Sequence, residues 1–188
     1  YDGEGNLTRF KDRHRDVSMT YKGMGRLATR SEAGTTVVFD YDSEERLRVV
    51  LNEHSEVYRF ERGPSGEVET EHGFGGIRRS YTRDLLGRVT ELRRASGLAS
   101  RFSYDAMDRL THVVHSDGDQ ERYQYRDDGA LLEACNSARQ LRFERDALGR
   151  VLEEHQDAHV VTSRYDARGL RTHMRSSLGA EQHITRGV

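Results

Sequence analysis

One motif recurs along all 188 residues at an almost constant interval. If each unit is anchored at the residue that normally precedes an aspartate, the anchors are Tyr1, Tyr21, Tyr41, Arg62, Arg83, Tyr104, Tyr125, Arg145, Tyr165 and Arg186, always 20 or 21 residues apart. A fixed period of this length marks a repeat architecture, in which each unit is one supersecondary element that must pack on its neighbours. It overrides the usual expectation of one or two globular domains for a chain of this size. The expected organisation is a single array over 1–188 of about nine units, with a truncated tenth opening at Arg186, forming a fragment of a longer protein.

Each position of the unit has a chemical reason. Two residues before the anchor stands a large apolar side chain in eight of nine cases, including Phe39, Tyr81, Phe102 and Phe143; Ser163 is the exception. Directly after the anchor comes Asp2, Asp42, Asp84, Asp105, Asp146 or Asp166, whose carboxylate can accept hydrogen bonds from the amides ahead of it. Four after the anchor stands glycine in seven of nine units, as at Gly5, Gly87, Gly149 and Gly169, where a type I turn closing in a bulge needs positive φ. Six after it the residue is apolar in eight of nine, as at Leu7, Leu47, Val89, Leu110 and Val151. Glu45 and Asp108 replace the glycine, and Glu tolerates the left-handed region less well than Asp. The turn from Asp42 to Glu45 is therefore expected to be altered or strained.

On either side of the turn the pattern alternates with period two, Val37, Phe39 and Tyr41 entering and Leu47, Val49 and Leu51 leaving on one apolar face. A second, looser turn is expected between units, for example at 11–16, 32–35 and 115–120. The fold class is all-β: antiparallel β-hairpin repeats forming a single-layer sheet. Nine units of two strands give a band on the order of 85 Å long, with strands of about eight residues, and accumulated twist should make it curl. The hydrophobic fraction of 34% and the mean hydropathy of -0.88 suit such a thin wall better than a thick core. No sustained 3.6-residue period occurs, so helix should be nearly absent.

Chemistry is sparse. The net charge of -2 gives no general attraction to nucleic acid. Of 30 basic residues only Lys11 and Lys22 are lysine, and arginines recur five after the anchor at Arg26, Arg46, Arg88, Arg109 and Arg150, a bias suited to cross-strand pairing with carboxylates and rings. Cys135 is alone and forms no intrachain disulfide. No apolar run is long enough for membrane insertion as a helix, and no basic-then-apolar leader is present at the N-terminus. The nine histidines, His14, His54, His72, His112, His115, His155, His159, His173 and His183, show no paired metal-ligand spacing and read as surface residues. Neither His155 and His159 around Asp157 nor His112 and His115 before Asp117 makes a catalytic constellation, and the glycine-rich 72–76 stretch reads as a wide turn because no helix follows it. Catalytic, cofactor-binding and metal residues are all expected to be absent.

The stretches YDGEGNL, YDSEERL, YTRDLLGRV, YDAMDRL, FERDALGRV and YDARGL resemble the YD repeats of bacterial Rhs (rearrangement hotspot) proteins, toxin-complex C components and animal teneurins. The resemblance implies a spiral sheet forming part of a hollow β-cocoon that encloses and chaperones a C-terminal toxin domain, made in the bacterial cytoplasm and then secreted or delivered to a target cell, for example by type VI secretion in interbacterial competition. Its implied partners are the flanking repeats of the parent chain, the enclosed toxin and a secretion spike or chaperone. Any toxin activity would lie outside this chain. The alternative is an exposed array that binds glycans or proteins at a cell surface.

Overall fold

The computed structural model describes residues 1–185. Arg186, the opening of the truncated tenth unit, lies outside them. Among the described residues the regular structure is β-strand throughout, apart from one three-residue 3-10 turn at Phe74–Gly76 that occupies the glycine-rich stretch. The chain divides into two compact units, Tyr1–Leu98 and Ala99 onward. The first contains β1 (Arg9–Lys11), β2 (Asp16–Lys22), β3 (Arg26–Glu32), β4 (Thr35–Tyr41), β5 (Leu47–Leu51), β6 (Val57–Arg62), β7 (Val68–His72), β8 (Arg78–Arg83) and β9 (Val89–Arg94). Each of these pairs antiparallel with the next in sequence. The second contains β10 (Ala99–Tyr104), β11 (Leu110–His115), β12 (Gln120–Tyr125), β13 (Leu131–Cys135), β14 (Gln140–Arg145), β15 (Val151–Gln156), β16 (His159–Tyr165), β17 (Arg171–Ser176) and β18 (Glu181–His183), again a meander of antiparallel neighbours.

The strands from β2 to β17 have five to seven residues, shorter than the eight expected, because most of the turns between them take up four or five. All nine glycine-position residues adopt positive φ, from 60° at Glu45 to 95° at Gly66. The Asp42 turn is not altered in shape: the Asp42 amide donates to the Arg46 carbonyl at 2.9 Å and the Glu45 amide to the Asp42 carbonyl at 3.0 Å, matching the 3.0 Å and 3.0 Å of the Asp84 turn, which has Gly87. What remains of the expected departure is conformational strain in Glu45 itself, at φ 60°.

Two expectations are corrected. Several second turns are as tight as the first: Arg94–Leu98, His115–Asp119 and Ser176–Ala180 carry the same pair of backbone hydrogen bonds, and Asn52–Glu56 does so with Asn52 in the aspartate role and Ser55 at φ 63°. The apolar alternation also does not pass straight through the first turn. The register shifts at the anchor, between Asp40 and Tyr41 in β4, and β5 gains Arg48 as a bulge residue. Leu47 therefore stands opposite Tyr41 and Val50 opposite Phe39, whereas Val49 and Leu51 stand opposite Asp40 and Val38 on the other face.

Only two apolar side chains are buried among the described residues, Val17 at 5% and Val113 at 3% exposure. Apart from the exposed Tyr1, the rings at and before the anchors are half-buried. Ladder hydrogen bonds and turn chemistry thus carry much of the load that a packed core carries in a globular domain.

Candidate functional site

The most strongly repeated chemistry is a clasp built at the first turns that open with aspartate. Asp42 Oδ1 accepts the amides of Glu44 and Arg46, both at 2.9 Å, while Oδ2 pairs with the Arg46 guanidinium at 2.9 Å. Asp84 with Arg88, Asp105 with Arg109 and Asp146 with Arg150 repeat the arrangement. Asp2 and Asp166 keep the amide contacts, with Asn6 replacing the arginine at Asp2. These contacts favour the ionised carboxyl. The guanidinium of Arg88 holds Asp84 below the usual carboxylate range, and at Asp105 the leading contribution is the Arg109 amide.

Within each unit the anchor side chain ties a hairpin to the one before it. Tyr21, Tyr41, Tyr125 and Tyr165 donate their hydroxyls to the carbonyls of Leu7, Leu27, Leu110 and Val151 at 2.8–2.9 Å. Arg62 and Arg83 reach the equivalent carbonyls of Leu47 and Val68 at 3.1 and 3.2 Å, and Arg145 reaches Leu131 at 3.3 Å. This explains why Tyr and Arg alternate at one position: each delivers a donor, at the end of a long flat side chain, to the residue six after the previous anchor. The arginines add a bond to their own turn, to the carbonyls of Gly66, Gly87 and Gly149. Arg109 and Arg150 complete the stitching forward, lying 5.0 and 5.1 Å from the ring centroids of Tyr125 and Tyr165 in the next unit.

The remaining motif residues fall around this clasp. Phe39, Tyr81, Phe102 and Phe143 are half-buried on β4, β8, β10 and β14, and Tyr104 is half-buried beside Leu110. Tyr1 is 84% exposed, and Leu7 precedes β1 yet accepts the Tyr21 hydroxyl. Gly5, Gly149 and Gly169 take φ values of 85°, 81° and 79°. Val89 opens β9 opposite Arg83, and Val151 opens β15 opposite Arg145.

Two polar clusters on the ring-bearing face were not legible in the sequence. Glu71 accepts hydroxyls from Tyr58 at 2.6 Å and Tyr81 at 3.1 Å. His115 bridges Ser100 at 2.9 Å and Glu121 at 3.2 Å, and Glu121 also accepts the Tyr123 hydroxyl, which pushes the Tyr123 phenol up to about 12. The order Ser, His, Glu is that of a nucleophile, base and orienting acid, but Ser100 is 1% exposed, so a substrate carbonyl has no access to its hydroxyl. Strand register assembles the group, setting Ser100 opposite His115 and Val113 opposite Glu121. His155 pairs with Glu153 at 3.1 Å, while Asp157 caps the Gln140 amide, so the sequence neighbours His155, Asp157 and His159 do not converge on a common contact.

Residues 83–120 match the family described as RHS Repeat. No curated protein sequence matches the chain. Among solved structures it is similar to a Tc holotoxin pore of Photorhabdus luminescens, at 14% identity and a TM-score of 0.75, over 90% of this chain and 11% of that one. It is similar to TcdB2-TccC3 without the hypervariable C-terminal region at 14% identity and a TM-score of 0.75, over 95% of this chain and 12% of that one. A complex of TcdB2-TccC3 with Cdc42 gives 14% identity and 0.73, over 90% and 12%. At such identity the likeness is one of fold, and the chain spans only about a tenth of these relatives.

Proposed function

We propose that the chain is an RHS-repeat (YD-repeat) protein and that it forms a stretch of the wall of a toxin shell, enclosing and chaperoning a toxin domain of the same parent protein until delivery. The observation that carries the reading is the stitching of hairpin to hairpin by Tyr or Arg within each unit, with only Val17 and Val113 buried among the apolar side chains of the described residues. Such a sheet is suited to separate two spaces rather than to fill one. The fold likeness to TcdB2-TccC3 chains supports it.

In this reading the chain has a structural part and no catalytic one. Its parent is made in the bacterial cytoplasm and released toward a target cell, with type VI secretion as one route consistent with the shell. The flanking repeats of the parent are its nearest partners. Exposed apolar side chains at the turn tips, Met24, Leu86, Met107 and Leu148, offer them contact positions.

Limited proteolysis of the intact parent, with mass spectrometry of what stays associated, tests the proposal. A cargo segment that remains with the repeats and becomes protease-sensitive only on denaturation is the expected result. Free digestion of every segment outside the repeats overturns it.

A further inference from the structure

The turn Ser176–Ala180 fixes β17 and β18 in a register symmetric about Leu178, so that His173 stands opposite His183 and Arg175 opposite Glu181. The two imidazoles lie side by side, with ring centroids 4.5 Å apart and planes tilted by 33°. Glu181, two residues before His183 on the same strand face, brings its carboxylate between them: Oε1 is 2.7 Å from His173 Nε2 and 3.6 Å from His183 Nε2. One donor atom from each of the three residues falls within a span of 4.8 Å.

We propose that His173, Glu181 and His183 bind a divalent transition-metal ion of the zinc class. Zinc held by imidazole nitrogen and carboxylate oxygen at about 2.0–2.1 Å places neighbouring tetrahedral ligands about 3.3 Å apart, and the two separations from the Glu181 oxygen bracket that value. Two imidazoles with one carboxylate suit zinc, copper or nickel, whereas calcium and magnesium prefer sites built of oxygen alone. His173 is the anchored ligand at 15% side-chain exposure; Glu181 and His183, at 50% and 74%, are accessible to an incoming ion. The three donors also line a cavity with Thr162, Thr172 and Ser177, which leaves room for water at a fourth coordination position. Because the ligands come from both strands, the ion would clamp β18, only three residues long, to β17.

Glu144, Glu153 and His155 form a second cluster that serves as an internal comparison, since it offers one imidazole and two carboxylates. The test is titration of the full chain with Zn²⁺ against a chromophoric chelator, and with Co²⁺ followed by its visible absorption. One equivalent should bind, with Co²⁺ showing the intense bands of four-coordination. His183→Ala and Glu181→Gln should each weaken binding by about tenfold or more, and His155→Ala should leave it unchanged. His183 is largely exposed, and circular dichroism of its variant checks that the fold is kept. Absence of stoichiometric binding, binding indifferent to His183→Ala, or loss of the ion in His155→Ala instead would each overturn the proposal.

Discussion

At the scale of the residue, the glycine position shows how backbone conformation and side-chain identity trade against each other. A Cβ built on Gly87 meets nothing within 4 Å, so any cost of substitution there comes from φ at 80° and not from crowding. Gly87→Val should therefore lower stability by about 1–2 kcal/mol, and Gly87→Asp by distinctly less, because Asp enters the left-handed region more readily, as it does at Asp108. The same reasoning runs in reverse at Glu45, which holds φ 60° while its carboxylate makes only long contacts, 3.5 Å to Arg26 and 3.4 Å to the Met24 amide. Glu45→Gly should raise stability by roughly 0.5–1 kcal/mol, the relief of strain exceeding the added entropy of the unfolded chain. Urea melts of the three variants measure these differences, and a stabilised Gly87→Val would remove the turn assignment.

At the scale of the hairpin, the anchor acts through its donor and not through its charge. Arg83 donates to the Val68 and Gly87 carbonyls while its Nε has no hydrogen-bond partner. Arg83→Tyr should thus be close to neutral, and Arg83→Leu should cost about 1 kcal/mol or more by leaving a half-buried carbonyl without its partner. Equal losses in the two variants would argue against the stitching. The aspartates of the hairpins make a separate prediction about pH. Arg9 and Lys22 are the leading partners that hold Asp16 and Asp40 at about 2, and the clasp aspartates are lowered as well, so near pH 4 the folded chain binds fewer protons than the unfolded chain. Their contribution is complete above the ordinary carboxylate range and is lost as pH falls through the folded values toward about 2. Thermal melts should show Tm falling steeply from pH 5 to 2, less so in about 1 M salt, where exposed pairs are screened. A flat profile would mean that the ion pairs contribute nothing. The turn positions behind these predictions were legible in the sequence because Asp and Gly state their backbone roles locally. Register was not: the bulge at Arg48, the Ser100–His115–Glu121 group and the His173–His183 pair depend on which residues face each other across strands, and one added residue exchanges the faces.

At the scale of the whole molecule, each strand contacts its sequence neighbours, so within a unit stability should be a sum of local hairpin terms and nearest-neighbour terms, without one central core. That makes the array tolerant of changes that respect its period and intolerant of those that do not. Removing residues 42–62, which comprise one complete repeat of 21 residues, joins Tyr41 to Gly63 and places the following turn directly after a Tyr anchor in place of an Arg one. Arg83 can still find the Val68 carbonyl, and Tyr41 keeps the Leu27 carbonyl, so both stitches survive the excision. Removing only 42–51 takes out one strand and its turn, so that β6 follows β4 directly, the later turns fall on the opposite edge of the sheet, and the Leu47 carbonyl that Arg62 reaches is lost. The in-phase deletion should melt cooperatively with a β-rich circular dichroism spectrum and a modestly lower Tm, while the half-repeat deletion should be protease-sensitive and prone to association through its mispaired edge. If both deletions behaved alike, the hairpin would not be the unit of the fold, and the wall would have to be understood as one indivisible sheet.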